Sequence, residues 1–268
     1  MRRIIHLSDL HFGRTRPELL EPLLAVIRDL EPDLVALSGD LTQRARRSQF
    51  GAARAFLDRL DLHWLAVPGN HDVPLYNVPL RLTDPFSGYR RRISRDLEPV
   101  YVDEEIAVVG LNTVDPLAWQ RGRVTPGDIA RAAERAGRAP VKILMAHHPF
   151  KHVPDEPKAL MKGAPEGLEA LARTGFDVVL AGHLHAWRVE PVTARLEDAR
   201  TLQVQAGTGL STRLRGEEND FNLLTIDGET LTVLRYATEE GAEGFEPVAS
   251  RCFERAGERW KICDGAQK

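Results

Sequence analysis

Five times in this 268-residue chain an apolar run of strand character stops, and a side chain able to bind a metal follows within a residue or two. Ile4-Ile5-His6-Leu7-Ser8 leads into Asp9-Leu10-His11, the run Leu34 to Gly39 ends on Asp40, and Trp64 to Gly69 ends on Asn70-His71-Asp72. Ile143-Leu144-Met145-Ala146 ends on His147-His148, and Val178 to Gly182 ends on His183-Leu184-His185. In open α/β sheets ligands bind at the carboxyl ends of the strands, so five donor-bearing strand ends can converge on one point. Their mixture of oxygen and nitrogen donors suits a paired divalent metal site.

Helical stretches separate these runs in the first half, a rhythm that predicts βαβ units. Leu20, Leu23, Leu24, Ile27 and Leu30 share one helical face, with Pro22 tolerated in the first turn. Ser48 is placed to cap a helix presenting Phe50, Ala53, Leu57 and Leu60. Thr125-Pro126-Gly127-Asp128 reads as a capped start for a helix reaching Arg138. The stretch Val73 to Pro99, with several prolines and the cluster Tyr89-Arg90-Arg91-Arg92, breaks the rhythm and reads as an irregular excursion near the site. A solvated helix face is the alternative reading of that charge run. From about residue 187 the pattern turns β-rich. Phe221 to Ile226 and Leu231 to Tyr236 flank a hairpin turn, and Arg251 to Arg255 and Arg259 to Cys263 flank another. Without repeats or a linker, residues 1–268 are expected to form one domain built on two sheets.

An apolar content of 43% and a charged content of 28% are those of a globular chain and too apolar for a disordered one. The net charge of −3 leaves no global footprint for nucleic acid, so no nucleic-acid partner is expected. Only Cys252 and Cys263 are present, away from the donor motifs, which supports no disulfide framework and favours a reducing cytoplasm. His6 and Asp9 interrupt the N-terminal apolar run before a signal-peptide core can form, and no run is long enough to span a bilayer. Oligomeric state is not legible.

Each motif alone has an ordinary explanation. Asp-x-His pairs occur on surfaces and at strand ends, and Gly-Asp after an apolar run is often a turn in which Asp holds its own backbone. His-x-His is stronger, because a period of two on an extended chain points both imidazoles the same way. Together, however, the five strand ends supply Asp9, His11, Asp40, Asn70, His147, His183 and His185, and Gly39, Gly69 and Gly182 immediately precede three of them. Coincidence explains that conjunction poorly, and a shared metal centre explains it directly. His6, within the first strand, reads as a core or ladder histidine, and His63 and His152 have no motif support.

The series Asp9-x-His11, Gly39-Asp40, Gly69-Asn70-His71-Asp72, His147-x-Pro149 and Gly182-His183-x-His185 resembles the calcineurin-like metallophosphoesterases, in order and from the first strand to His185. The resemblance implies an α/β fold, a four-layer α/β/β/α sandwich of two mixed sheets flanked by helices. It implies that Asp9, His11 and His185 hold one metal, that Asn70, His147 and His183 hold the other, and that Asp40 bridges them. The implied cofactors are two divalent ions, Mn²⁺, Fe²⁺ or Zn²⁺, because no Asp-x-x-Tyr supplies the tyrosinate of the purple acid phosphatases. Such a pair activates a bridging hydroxide and clamps the phosphorus oxygens for in-line displacement. His71 cannot readily be a ligand beside Asn70 and is assigned to phosphate charge or leaving-group protonation, with Asp72 either orienting it or acting as a structural cap. The family pattern selects His147 over His148 as ligand, leaving His148 beside the metals or in the substrate pocket.

Leu7 to Phe12, Asn70 to Pro74, His147 to Phe150 and Gln205 to Arg213 look most like the bacterial class III cyclic-nucleotide phosphodiesterases. The expected substrate is accordingly a small phosphodiester such as a 3′,5′-cyclic nucleotide, with Arg91 and Arg213 as candidate phosphate contacts. The alternatives are a pyrophosphatase or phosphodiesterase acting on a lipid-linked or glycerophospho substrate, a DNA nuclease, a phosphoprotein phosphatase, and a non-catalytic metal-binding scaffold. The first is disfavoured by His71 where that branch typically has Arg, and an apolar groove for acyl chains would favour it. The last predicts lost ligands, and none is lost.

Overall fold

Alternation within the strands decides the layers. In β1 (Arg2–Leu7) Ile4 packs to one side with Leu34 and Ala36, and Ile5 and Leu7 pack to the other with Val35 and Leu37. A strand whose successive side chains point to opposite faces, both apolar, must be covered twice. The computed structural model describes residues 1–152, 158–192, 200–238 and 244–263, and in it both faces are covered.

β1 pairs in parallel with β2 (Leu34–Leu37), which pairs in parallel with β3 (Trp64–Ala66). On its other side β1 runs antiparallel to β10 (Asp220–Asp227), and the sheet continues through β11 (Thr230–Ala237), β12 (Glu246–Ala256) and β13 (Arg259–Ile262). The second sheet has the order β4 (Val100–Val102), β5 (Ile106–Leu111), β6 (Val141–Ala146), β7 (Val178–Ala181), β9 (Leu202–Gln205), β8 (Arg188–Pro191). Its four central strands are parallel and its two edge strands antiparallel. Ile4, Leu34, Val67, Ile106, Ile143, Val178 and Leu202 fill the space between the sheets.

Helices α1 (Leu20–Asp29) and α2 (Arg47–Leu60) cover the outside of the first sheet, with Leu23, Leu24, Ile27, Phe50, Phe56 and Leu57 buried against it. Helices α5 (Pro126–Ala136) and α6 (Ala164–Thr174) cover the second through Ile129, Ala132, Ala170 and Leu171. This is the expected α/β/β/α sandwich of two mixed sheets. Thr125 caps α5 as its sequence predicts, with Asp128 closing the box from the third helical position. Both hairpins form as well, turning on Gly228 and Gly257 in left-handed backbone.

Three local expectations are corrected. Helix α2 begins at Arg47 behind Arg46, so Ser48 lies inside its first turn and Gln49 closes the start by accepting from the Arg46 and Arg44 backbone N–H groups. The stretch 73–99 is less irregular than predicted, because it holds two short helices, α3 (Val78–Thr83) and α4 (Ser87–Arg92). Tyr89 of α4 is fully buried and donates to the Ala66 carbonyl at 2.8 Å, which docks the stretch on the first sheet. Cys252 and Cys263 are joined in a disulfide across the β12–β13 hairpin. They were not expected to pair; spacing in the chain did not reveal that the hairpin register sets them opposite each other. Among the described residues no helix is long and apolar enough to cross a membrane.

Candidate metal centre

β1, β2 and β3 are parallel in one sheet, and β6 and β7 are parallel in the other, so each sheet delivers its donors at one end. Bonds between the sheets bring the two ends together. The His183 backbone N–H donates to Asp9 Oδ2 at 2.9 Å, and His147 Nδ1 lies 2.8 Å from the Ser38 carbonyl. Close approach demands glycine here: a Cβ on Gly69 would collide with Asp40, and one on Gly182 with Ser8 and Asp9. The donors themselves are held in unusual backbone. Asp9, His11, Asp40, His183 and His185 all have φ between 50° and 71°, a region that non-glycine residues rarely enter and that clusters at functional sites.

Asp9, His11 and His185 form one group, with Asp9 Oδ1 3.4 Å from His11 Nε2 and 3.1 Å from His185 Nε2. His147 lies in a second group, with Asn70 Oδ1 3.1 Å from its Nε2 and the His183 ring centroid 5.1 Å from its own. Asp40 stands between them, its Oδ2 3.8 Å from His11 Nε2 and 3.4 Å from His147 Nε2. All seven of these side chains are buried.

The donor chemistry fits a pair of cations. His147 and His185 can each donate Nδ1–H to a main-chain carbonyl, of Ser38 at 2.8 Å and of Arg213 at 2.9 Å, which turns the Nε2 lone pair inward. Those lone pairs face the carboxylate oxygens of Asp40 and Asp9 at 3.4 and 3.1 Å. Acceptor set against acceptor is repulsive until a positive charge lies between them. Among the described residues Asp9 Oδ1 is buried without a hydrogen-bond partner, an arrangement that is costly unless a cation meets it. The electrostatics agree. Burial opposes ionisation of Asp9, yet His185 and His11 hold its carboxyl well below the usual carboxylate range. Burial likewise opposes charge on His147, yet Asp40 lifts it to about 9, so with no cation between them a proton takes the place on Nε2 that faces the carboxylate.

His71 stands at the mouth of the centre. Its Nδ1 lies 2.8 Å from the Gln43 carbonyl, so that nitrogen carries the proton, and its Nε2 accepts from Arg213 Nη1 at 3.0 Å. Arg44 Nη1 lies 3.1 Å from the same Nδ1, which offers a guanidinium no acceptor while its proton is given to the Gln43 carbonyl at the shorter 2.8 Å. Burial pushes the imidazole down to about 4 despite the Asp40 carboxylate nearby, so His71 rests neutral. Arg213 is therefore brought to the centre, together with Arg44 and Gln43, which were not singled out in the sequence. Their only signal is their place just beyond the end of β2, in the loop after Asp40.

Other sequence candidates stand elsewhere. Asp72 spends both oxygens on neighbouring main chain, accepting from Leu41 N, Thr42 N and Gly69 N at 2.8–3.1 Å, and from the Thr42 hydroxyl at 3.0 Å. It fastens the loop of Asp40 to that of Asn70, and the Gln43 carbonyl meets the His71 ring nitrogen that Asp72 was expected to orient. Burial and the Asp40 charge push the Asp72 carboxyl up to about 7, while the backbone N–H groups pull it back. His148 packs beside His147 and His183, but its ring nitrogens meet the Thr113 hydroxyl at 2.8 Å and the Gln120 carbonyl at 3.0 Å. It is thus engaged by the protein and holds the 113–122 loop against the centre. Arg91 lines a separate cavity with Phe50, Leu80 and Arg92, which reaches Asp72 and Pro74 but none of the seven candidate ligands. His6 is a core histidine, bonded to Ser38 Oγ and Asn222.

Residues 2–187 match the sequence profile described as calcineurin-like phosphoesterase. A probable cyclic nucleotide phosphodiesterase of Synechococcus is 28% identical over 163 residues, 59% of this chain and 60% of that protein. Among solved structures, the purple acid phosphatase PPD1 of yellow lupin superposes with a TM-score of 0.71 at 16% identity, over 95% of this chain and 54% of that one. A dimetal phosphatase from Danio rerio superposes at 0.61 and 13% identity, over 87% and 95%. The chain thus spans about 60% of the length of the curated relative, and the two structures speak for the fold alone. The profile match covers more than half of the chain, and its span ends just past His185, where the strand-end donors end: this chain belongs to the calcineurin-like phosphoesterases.

Proposed function

We propose that the protein is a phosphodiesterase working on two divalent ions of the Mn²⁺, Fe²⁺ or Zn²⁺ type. Asp9, His11 and His185 would hold one, Asn70, His147 and His183 the other, with Asp40 between them. The observation that carries this reading is the buried Asp9 Oδ1, without a hydrogen-bond partner among the described residues, facing Nε2 of His11 and of His185. When bound, such a pair supplies Lewis-acid polarisation of phosphoryl oxygens and lowers the pKa of attacking water toward about 7.

The protein's own residues then bind and orient. Arg213 and Arg44 place two guanidinium groups beside the centre, in a cavity also lined by Gln43, Asn70, Gln120 and Trp119, and guanidinium forks match phosphate oxygens. His71 keeps Nδ1–H on the Gln43 carbonyl, so its free lone pair is on Nε2. A substrate anion that draws Arg213 off that nitrogen would leave Nε2 free to take the proton that the attacking water gives up and pass it to the departing alkoxide. His148 holds Gln120 and Trp119 at the rim.

The name of the Synechococcus relative makes a 3′,5′-cyclic nucleotide the first diester to try. A second reading, a lipid-linked or glycerophospho diester, is favoured by exposed apolar side chains beside the cavity. Cytoplasmic residence was expected from the sequence, and the Cys252–Cys263 disulfide weighs against it. The deciding experiment is a panel with each metal in turn: cyclic AMP and GMP, bis(p-nitrophenyl) phosphate, a glycerophosphodiester, single-stranded DNA and a phosphomonoester. Turnover of the monoester alone, or of no substrate with any metal, sinks the phosphodiesterase reading.

A further inference from the structure

Among the described residues, and apart from the terminal Met1 at 56%, the large apolar side chains most open to water are not scattered. Tyr76, Val78, Leu82, Leu117 and Trp119 are 54–79% exposed, and all five come from two segments, 73–83 and 112–122. Val78 and Leu82 lie four residues apart on α3, hence on one helical face. The two segments are clamped into one surface by Arg81. This buried side chain donates Nε to the Pro116 carbonyl at 2.6 Å, Nη2 to the Ala118 carbonyl at 2.7 Å and Nη1 to the Pro74 carbonyl at 2.9 Å. His148 anchors the second segment from below through Gln120. The apolar groups are therefore displayed on a braced platform, at a standing cost in exposed apolar surface that marks an interaction site.

The platform borders the metal centre. Leu75 and Trp119 line the cavity of Asn70, His71, Arg44 and Arg213. On its far side Trp119 lines an adjoining depression with Arg121, Lys158, His183 and Arg215. Acidic groups on the platform segments are opposed locally, Asp84 by Arg90 at 3.2 Å and Asp115 by Lys162 at 4.0 Å. The site thus has an apolar shelf that includes Tyr76 and, where it borders the cavity, Trp119, set beside a cationic basin that holds the reacting centre. A second copy docked on this face about a twofold axis would bring the cations of both basins together. An anionic lipid surface complements both parts, since acyl and glycerol groups suit the shelf, phosphates suit the basin, and Trp and Tyr favour the water–lipid boundary.

We propose that this shelf seats the protein on an anionic lipid surface and that the diester it cleaves is carried by a lipid. The inference rests on the phosphodiesterase reading and names its substrate class. In the reaction the oxygen of water joins phosphorus, one P–O bond to an alcohol breaks, and the departing alkoxide takes a proton given up by that water, giving a phosphomonoester and an alcohol. Tyr76, Leu82 and Leu117 line none of the cavity around His71, so their replacement separates docking from chemistry.

The test compares the metal-loaded protein with a Tyr76→Ser/Leu82→Ser/Leu117→Ser variant, using vesicles of phosphatidylglycerol or of phosphatidylcholine and the soluble diester bis(p-nitrophenyl) phosphate. The expected result is co-sedimentation with phosphatidylglycerol vesicles that weakens about ten-fold or more in the variant, a matching fall in phosphatidylglycerol hydrolysis, and bis(p-nitrophenyl) phosphate turnover unchanged within about two-fold. Wild-type protein that hydrolyses the soluble diester but neither binds nor cleaves the phosphatidylglycerol vesicles overturns the proposal while sparing the phosphodiesterase reading. So does a variant that binds and cleaves as wild type does, or a dimer of the wild type that the three substitutions dissociate without any vesicle binding. Absence of turnover on the soluble diester by the wild type overturns the underlying reading instead.

Discussion

Arg213 Nη1 stands 3.0 Å from His71 Nε2, although 142 residues separate the two in the chain. The guanidinium can only donate, so in this contact Nε2 is the acceptor, in keeping with the burial that pushes the imidazole down to about 4. This pair predicts a separation of metal binding from turnover. His71→Ala should retain the metal content of the wild type while kcat for bis(p-nitrophenyl) phosphate falls by about 10²–10⁴, the usual span for a general acid or base. Arg213→Ala should also keep its metals and lose mainly KM. Metal analysis beside steady-state kinetics checks both, and metal loss in His71→Ala would count against its placement as a non-ligand.

Asp40 lies between the two donor groups and also accepts from the His71 backbone N–H at 2.7 Å. Asp40→Ala should abolish turnover and lower metal stoichiometry, as should a chelator with the wild type. Removing the ions should also lower the melting temperature, because buried donors are then left facing each other. Wild-type-like turnover in metal-loaded Asp40→Ala would refute a bridging position.

Asp72 is predicted to matter for structure. Asp72→Ala strands three main-chain donors, of Leu41, Thr42 and Gly69, and should cost on the order of 3 kcal/mol in urea unfolding. Asp72→Asn, which keeps one acceptor oxygen, should cost less. Equal stability of Asp72→Ala and wild type would remove the loop-fastening role.

His6 is fully buried, and burial pushes its imidazole down to about 3 against the raising influence of Asp9. The unfolded chain protonates this residue near the ordinary value of about 6.5, so between the two pKa values the unfolded state binds more protons. The contribution is therefore fully present above about pH 6.5 and falls as pH drops toward 3, with a slope of up to about 1.4 kcal/mol per pH unit. Urea unfolding from pH 7 to pH 4.5 should show a shallower pH slope for His6→Gln than for the wild type. An identical slope would place the acid sensitivity elsewhere.

The Cys252–Cys263 disulfide closes a loop with a sequence separation of 11, worth roughly 2–3 kcal/mol by loop-closure entropy. It sits on β12, three strands from β1, so reduction or Cys252→Ser should lower thermal stability while bis(p-nitrophenyl) phosphate turnover stays unchanged. Loss of activity on reduction at a temperature where the protein stays folded would tie this hairpin to the site.

What the sequence determined by itself is local. Apolar runs alternating between two faces demanded cover on both sides, Thr125 and Asp128 announced the start of α5, and Gly228 and Gly257 marked the two hairpin turns, because each signal is written within a few neighbouring residues. The seven candidate ligands could be picked out for the same reason, each standing where a strand stops. Tertiary structure decided what those signals could not reach. Which nitrogen of His185 faces inward depends on the Arg213 carbonyl 28 residues away, and Asp72 turned from His71 to the backbone of Leu41 and Thr42 because β2 and β3 lie side by side. Arg44, Arg213 and the shelf of Tyr76, Leu82, Leu117 and Trp119 are drawn together only when two sheets stack and their loops meet, and spacing along a chain carries no record of that meeting.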